Sequence, residues 1–86
     1  MKKIVSVLQP FAMTQDIIVY ENGNKIDIVP ACIEDFNEIM LNTIDKYSVE
    51  QVEFLGPKKY AQGLGNKLKE AEMLRYNTNK LKIKYL

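Results

Sequence analysis

Few residues in this chain can do chemistry, and one useful type is missing. The 86-residue sequence contains no histidine and a single cysteine, Cys32. Histidine is the side chain whose ordinary pKa suits proton transfer near neutral pH. Without it, Ser-His and Cys-His nucleophile pairs cannot be assembled, and most transition-metal sites lose their usual ligand. Cys32 by itself can form neither an internal disulfide nor a zinc site, which points to a reducing, cytoplasmic setting. Catalysis would have to rest on clustered carboxylates with a divalent ion or on a perturbed lysine. Neither pattern is present at a recognisable spacing, so no catalytic residue, metal or cofactor is expected.

Two groups of residues are suited instead to binding an anion. The first is the junction Leu55-Gly56-Pro57-Lys58-Lys59-Tyr60. If a helix begins at Lys58, its first turn offers unpaired N–H groups and a partial positive charge, and two lysines add to that field. Gly56 would let a phosphate approach the backbone closely. Gly56, Lys58, Lys59 and Tyr60 are therefore the candidate ligand-binding residues, although the glycine spacing matches neither a P-loop nor a dinucleotide fingerprint. The simpler alternative is a turn with solvated lysines. The second group is Lys80, Lys82 and Lys84, spaced to contact successive phosphates from one face of a strand. Lysines in this pattern also protect a sheet edge from unwanted pairing. The chain has one arginine and no tryptophan, which weakens the case for nucleic-acid stacking.

The charge distribution adds to this. Residues 1–56 hold four lysines against nine carboxylates, a net of −5, and residues 57–86 hold seven lysines and Arg75 against Glu70 and Glu72, a net of +6. Such asymmetry marks either an anion-binding surface or two halves that attract each other. Cys32 falls just before the first helical stretch, where a dipole can lower a thiol's pKa, but a lone cysteine beside Ile33 is more often a packing residue, and Met40 and Met73 read as core or interface filler. Glu34, Asp35 and Glu38 read as solvated charge on a helix face.

The elements that position these residues follow from periodicity. Ile4–Leu8 is a short β-branched strand ended by Pro10. Asp16–Tyr20 and Lys25–Val29 flank Glu21-Asn22-Gly23-Asn24, and Asn-Gly is the strongest short hairpin signal. Pro30 should end the third strand. From Ile33, apolar residues recur every three to four positions through Phe36, Met40, Ile44 and Tyr47, a helix closed by Ser48. Val49–Leu55 reads as a fourth strand. A second helix runs to about Tyr76 with Tyr60, Leu64, Leu68, Ala71 and Leu74 as its stripe. Gly63 and Gly65 interrupt that helix or, as favoured here, let it approach the sheet. Leu81, Ile83 and Tyr85 alternate with lysines as a final strand. One domain over residues 1–86 results, an α/β (α+β) fold in the order β-β-β-α-β-α-β, with a mixed five-stranded sheet and two helices.

That order resembles the ribonuclease H-like core shared with actin-like domains. The resemblance implies nuclease carboxylates on the first strand and at the end of the fourth. Here those places hold Ser6 and Leu55-Gly56-Pro57, and Glu53 reads as a surface residue, so an inactive copy is implied. The stretch from Gly56 through Lys58, Lys59, Tyr60 and Gly63 to Lys67, Glu70-Ala71-Glu72-Met73, Tyr76 and Asn77 also resembles small uncharacterised phage and prophage proteins. This implies an accessory or counter-defence role.

The functional expectation is a small non-enzymatic binding protein that takes a host protein or sequesters a phosphate-bearing ligand. Nucleic-acid binding by the basic C-terminal third is the alternative, and a metal-dependent nuclease ranks last. Short apolar runs such as Ile17-Ile18-Val19 cannot span a membrane. Lys2 and Lys3 do not lead into a signal peptide, because Ser6, Gln9 and Pro10 cut the apolar segment short. Both helices should pack on one face, with Phe36, Met40, Ile44, Leu64 and Leu68 against Val5, Val7, Val19 and Phe54. Apolar residues on both strand parities would then leave an open face, so a homodimer or higher homo-oligomer is expected.

Overall fold

The computed structural model describes residues 2–8 and 14–86. Strands β1 (Lys2–Val7), β2 (Thr14–Glu21) and β3 (Asn24–Cys32) precede a 3-10 turn at Ile33–Asp35 and helix α1 (Phe36–Tyr47). Strand β4 (Gln51–Leu55), helix α2 (Lys58–Tyr76) and strand β5 (Lys82–Tyr85) follow. The strand end expected at Pro10 lies outside the described residues.

The β2–β3 hairpin closes where its sequence demands. Asn22 and Gly23 have φ of 52° and 81°, the two positive values of a type I′ turn, and Glu21 pairs directly with Asn24. Strand β3 does not stop at Pro30 but continues to Cys32, with Pro30 opposite Asp16. Sheet order β3-β2-β1-β4-β5 explains this. As an edge strand, β3 can turn the side that lacks an N–H toward solvent.

Strands β1 and β2 pair antiparallel, whereas β1–β4 and β4–β5 pair parallel. Each helix therefore crosses from the end of one strand to the start of the next. Both crossovers move the chain in one direction across the sheet, and right-handed crossovers of that kind place both helices on one face. A single core joins them there. It contains Ile4 and Leu8, Ile17 and Val19, and Val52 and Phe54, with Phe36 and Met40 of α1 and Ala61 and Leu68 of α2. Phe54 lies at its centre, 6.2 Å from the Phe36 ring and stacked 5.9 Å from that of Tyr85.

The register corrects several sequence expectations. Ile4 is opposite Val19, so Val5 and Val7 take the other parity and face away from the helices. Phe36, Met40 and Leu68 are buried as expected, whereas Ile44 and Leu64 are partly buried. Helix α2 runs unbroken through both glycines. Its buried positions are Ala61, Gly65, Leu68 and Glu72, while Tyr60 and Leu74 are exposed. The stripe is rotated toward the small residues because they let the helix axis come close. A Cβ at Gly65 would run into the Tyr85 hydroxyl, whereas one at Gly63 would meet nothing within 4 Å. Cys32 is exposed, since Ala31 takes the inward position and alternation turns Cys32 out. Met73 is 46% exposed, so it fills no core.

Candidate functional site

Helix α2 runs from one end of the sheet to the other. It begins beside the C-terminal ends of β1 and β4, where open α/β sheets commonly take ligands. It ends beside the N-terminal ends of β4 and β5.

At the first end, Gly56 has φ of 116°, a conformation that L side chains rarely adopt. A Cβ there would lie 2.7 Å from that of Leu8. The Leu8 N–H also donates to the Leu55 carbonyl at 3.0 Å. The close approach that Gly56 permits is thus taken by the chain's own strand end. Lys58, Lys59 and Tyr60 are all exposed, and the first turn of α2 contains neither an acidic residue nor a side-chain cap. The structure brings these three side chains to one exposed turn.

The lysines of the last strand divide differently. Lys82 and Lys84 belong to the edge strand β5, paired in register with Gln51 and Glu53 of β4. Glu53 is not a surface residue. It is 8% exposed, held by the Lys3 ammonium at 3.3 Å and by the Gln51 side-chain amide at 2.9 Å. Strand neighbours on the helix-free face bury it, which periodicity within β4 alone does not show. Ser6, in the place where the resemblance calls for a carboxylate, is fully buried on the helix-facing side.

At the second end of α2, sequence reasoning missed a cavity of about 510 Å³. Leu41, Ile44 and Asp45 of α1 form one wall, and Glu72 and Tyr76 of α2 form another. Val49 and Glu50 before β4, with Thr78, Lys80 and Leu81 leading into β5, complete it. Glu72 organises this corner. Its Oε2 accepts from Thr78 Oγ1 at 3.2 Å, the Lys80 N–H at 3.0 Å and the Leu81 N–H at 3.2 Å. The carboxylate thereby ties the turn after α2 to the helix and sets where β5 begins. Its other oxygen, Oε1, is buried without a partner. The Tyr76 hydroxyl donates to Asp45 of α1. That hydrogen bond holds the Tyr76 phenol above its ordinary pKa, and partial burial acts in the same direction. Arg75 donates to Asn42 Oδ1 at 3.0 Å, which joins the two helices a second time.

A signal for this corner does stand in the sequence. Glu72 falls at 61, 65, 68, 72, the spacing of a helical stripe, so it puts a carboxylate on the apolar face of α2. The signal became readable only once the stripe was phased on Ala61 and Gly65 rather than on Tyr60 and Leu64. Among the described residues no cluster of three or more Cys, Asp or Glu side chains is arranged to hold a metal ion. No helix there is long and apolar enough to cross a membrane.

No family model matches the sequence, and no curated protein matches it. A solved structure from Bacteroides thetaiotaomicron VPI-5482, described as a protein with actin-like ATPase fold and unknown function, is similar in three dimensions. The match has a TM-score of 0.71 at 16% identity and covers 99% of this chain and 32% of that one. The chain therefore spans about a third of that protein's length. At this identity the likeness shows the fold alone: a mixed five-stranded sheet with two helices that matches part of a protein of actin-like fold.

Proposed function

We propose that this chain is a small non-enzymatic interaction protein of the accessory type, whose helix-free sheet face docks on a protein surface, with a second copy of itself as first partner. The observation that carries the reading is a row of apolar side chains across three strands of that face. Val5 of β1 is opposite Ile18 of β2, which is opposite Ile28 of β3. Among the described residues no helix packs on this side; Val5 is buried there, whereas Ile26 and Ile28 are each 40% exposed. Along the same row the face turns charged, with Glu53 and then Lys84 beyond Val5. Two copies related by a two-fold axis would cover each other's apolar half and leave the charged half as a rim. Ser6 and Leu55-Gly56-Pro57, in the positions of the fold's nuclease carboxylates, support a binding role over a catalytic one.

Light scattering of the purified chain at micromolar concentration should give a dimer mass, and Ile28→Glu, at an exposed position, should return it to a monomer with unchanged circular dichroism. A monomer mass for the unaltered chain would overturn the self-association. Binding of short oligonucleotides that weakens steeply with salt would instead favour the basic strand bearing Lys80, Lys82 and Lys84 as the working surface.

A further inference from the structure

The sheet has two edges, formed by β3 and β5, and they are guarded differently. Strand β3 is closed to a further strand in three ways. Pro30 has no N–H, the Ile28 N–H is taken by Asp27 Oδ1 at 2.9 Å, and the pairing with β2 shifts between Val19 and Tyr20. Strand β5 contains no proline, and its pairing with β4 runs without a shift. Its guards are Lys82 and Lys84 alone. A charge of that kind repels a basic strand and attracts an acidic one.

The main chain of β5 is set to pair again. The Leu86 N–H donates to the Phe54 carbonyl of β4 at 2.9 Å. Main-chain groups alternate sides along a strand, so the N–H and C=O of Ile83 and Tyr85 turn to the outer side. Leu81 has the same parity, and its N–H is taken by Glu72. Beyond it, among the described residues, no strand pairs with that side. The strand itself is held in place by Tyr85, stacked 5.9 Å from the Phe54 ring.

The side chains specify what can be added. Lys82 and Lys84 are exposed on the helix-free face, and neither forms an ion pair within the described residues. Glu53, in register with Lys84, is already held by Lys3. Ile83 and Tyr85 take the opposite face, partly buried against the core. A strand laid about 4.8 Å beyond β5 brings its alternate side chains beside these two sets. Carboxylates suit the lysine side, and apolar groups suit the other. A second copy of β5 does not fit, because two-fold pairing of this edge sets lysine beside lysine. A nucleic acid would meet the lysines but leave the main-chain groups of Ile83 and Tyr85 unused.

We propose that the open edge of β5 receives an extended acidic segment of a partner protein as a sixth strand. Its carboxylates lie against Lys82 and Lys84, and its apolar side chains lie beside Ile83 and Tyr85. Main-chain pairing supplies the affinity, and the alternating charge selects the segment. This edge is separate from the apolar half of the helix-free face and does not depend on self-association.

The test is a titration of the isotope-labelled full chain with an end-blocked peptide of about eight residues that alternates glutamate with valine. Saturable shifts of the Ile83 and Tyr85 amides are expected in about the millimolar range or tighter, with slower hydrogen exchange at both. Three further ligands separate the contributions: the same peptide with methylated main-chain nitrogens, its lysine–valine counterpart, and oligothymidylate of equal charge. Each should bind about tenfold or more weakly. Lys82→Glu combined with Lys84→Glu should reverse the preference toward the lysine–valine peptide. Absence of saturable shifts, undiminished binding of the methylated peptide, or equal binding of the lysine–valine peptide would each overturn the proposal. So would a folded double variant that still prefers the glutamate peptide. Tighter binding of oligothymidylate would overturn it in favour of a nucleic-acid surface. If the double variant does not fold, the contrasts among ligands on the unaltered chain still decide.

Discussion

The two ends of helix α2 present opposite kinds of charge in opposite settings. Its first turn carries Lys58 and Lys59 exposed to solvent, against the sense of the helix dipole. Its last turns carry Glu72 and Tyr76, one buried and one bonded to the neighbouring helix, around a cavity. Exposed like charges in the first turn leave the helix slightly weaker and the surface adaptable. A buried carboxylate in the penultimate turn sets backbone geometry and cannot be changed without consequence. Electrostatic display and structural commitment have been separated along one nineteen-residue element.

The contrast can be broken most severely at Glu72. Glu72→Ala leaves the Lys80 and Leu81 amides without their acceptor, and Leu81 is itself buried. Hydrogen bonds to a charged group and the cost of orphaned donors together predict a loss of about 3 kcal/mol or more. Urea denaturation followed by circular dichroism would read it, and a loss below about 1 kcal/mol would remove Glu72 from its organising role.

The glycines come next and divide the same helix lengthwise. Gly65→Ala drives a methyl group into the Tyr85 hydroxyl and should cost about 1–3 kcal/mol, as overpacking does. Gly63→Ala meets open space and should stabilise the chain by about 0.5–1 kcal/mol, the usual gain from replacing an exposed helical glycine. Opposite signs in thermal melts of the two variants are the expected result. Equal effects would mean that α2 does not rest on Tyr85.

The smallest effect per position is at the first turn. Replacing Lys58 and Lys59 together with glutamate should leave the fold intact and raise stability by about 0.3–1 kcal/mol per position, because acidic groups suit the positive end of the dipole. If this turn binds a phosphate-bearing ligand, uptake of inorganic phosphate should vanish in the same variant. A double variant that melts earlier than the parent would show that the lysines hold the structure rather than display charge.

Much of the architecture was legible in local chemistry. Asn22-Gly23 dictates its turn because only residues tolerant of positive φ close a two-residue hairpin. The change from a two-residue to a 3.6-residue apolar period marks the step from β3 into α1. Alternation of Leu81, Ile83 and Tyr85 with lysines marks the last strand, and the order of elements leads to the sheet through the handedness of its crossovers. These are properties of a few adjacent residues or of chain direction, so the amino-acid sequence alone determines them.

Facing and depth are different. Which parity of β1 meets the helices depends on Ile4 lying opposite Val19 and Val52, on strands distant along the chain. Both parities of β1 are apolar enough to serve, so composition could not choose between them. Whether α2 buries Tyr60 and Leu64 or Ala61 and Gly65 depends on how closely the helix can approach Tyr85. The burial of Glu53 comes from Lys3 and Gln51 beside it, and that of Glu72 from a turn that returns six to nine residues later. A charged side chain is read as exposed from its own chemistry, and only the packing of remote segments can bury it and supply its partners. The cavity beside Glu72 belongs wholly to that level, since its walls come from α1, α2 and the starts of β4 and β5 and exist only once the four are assembled.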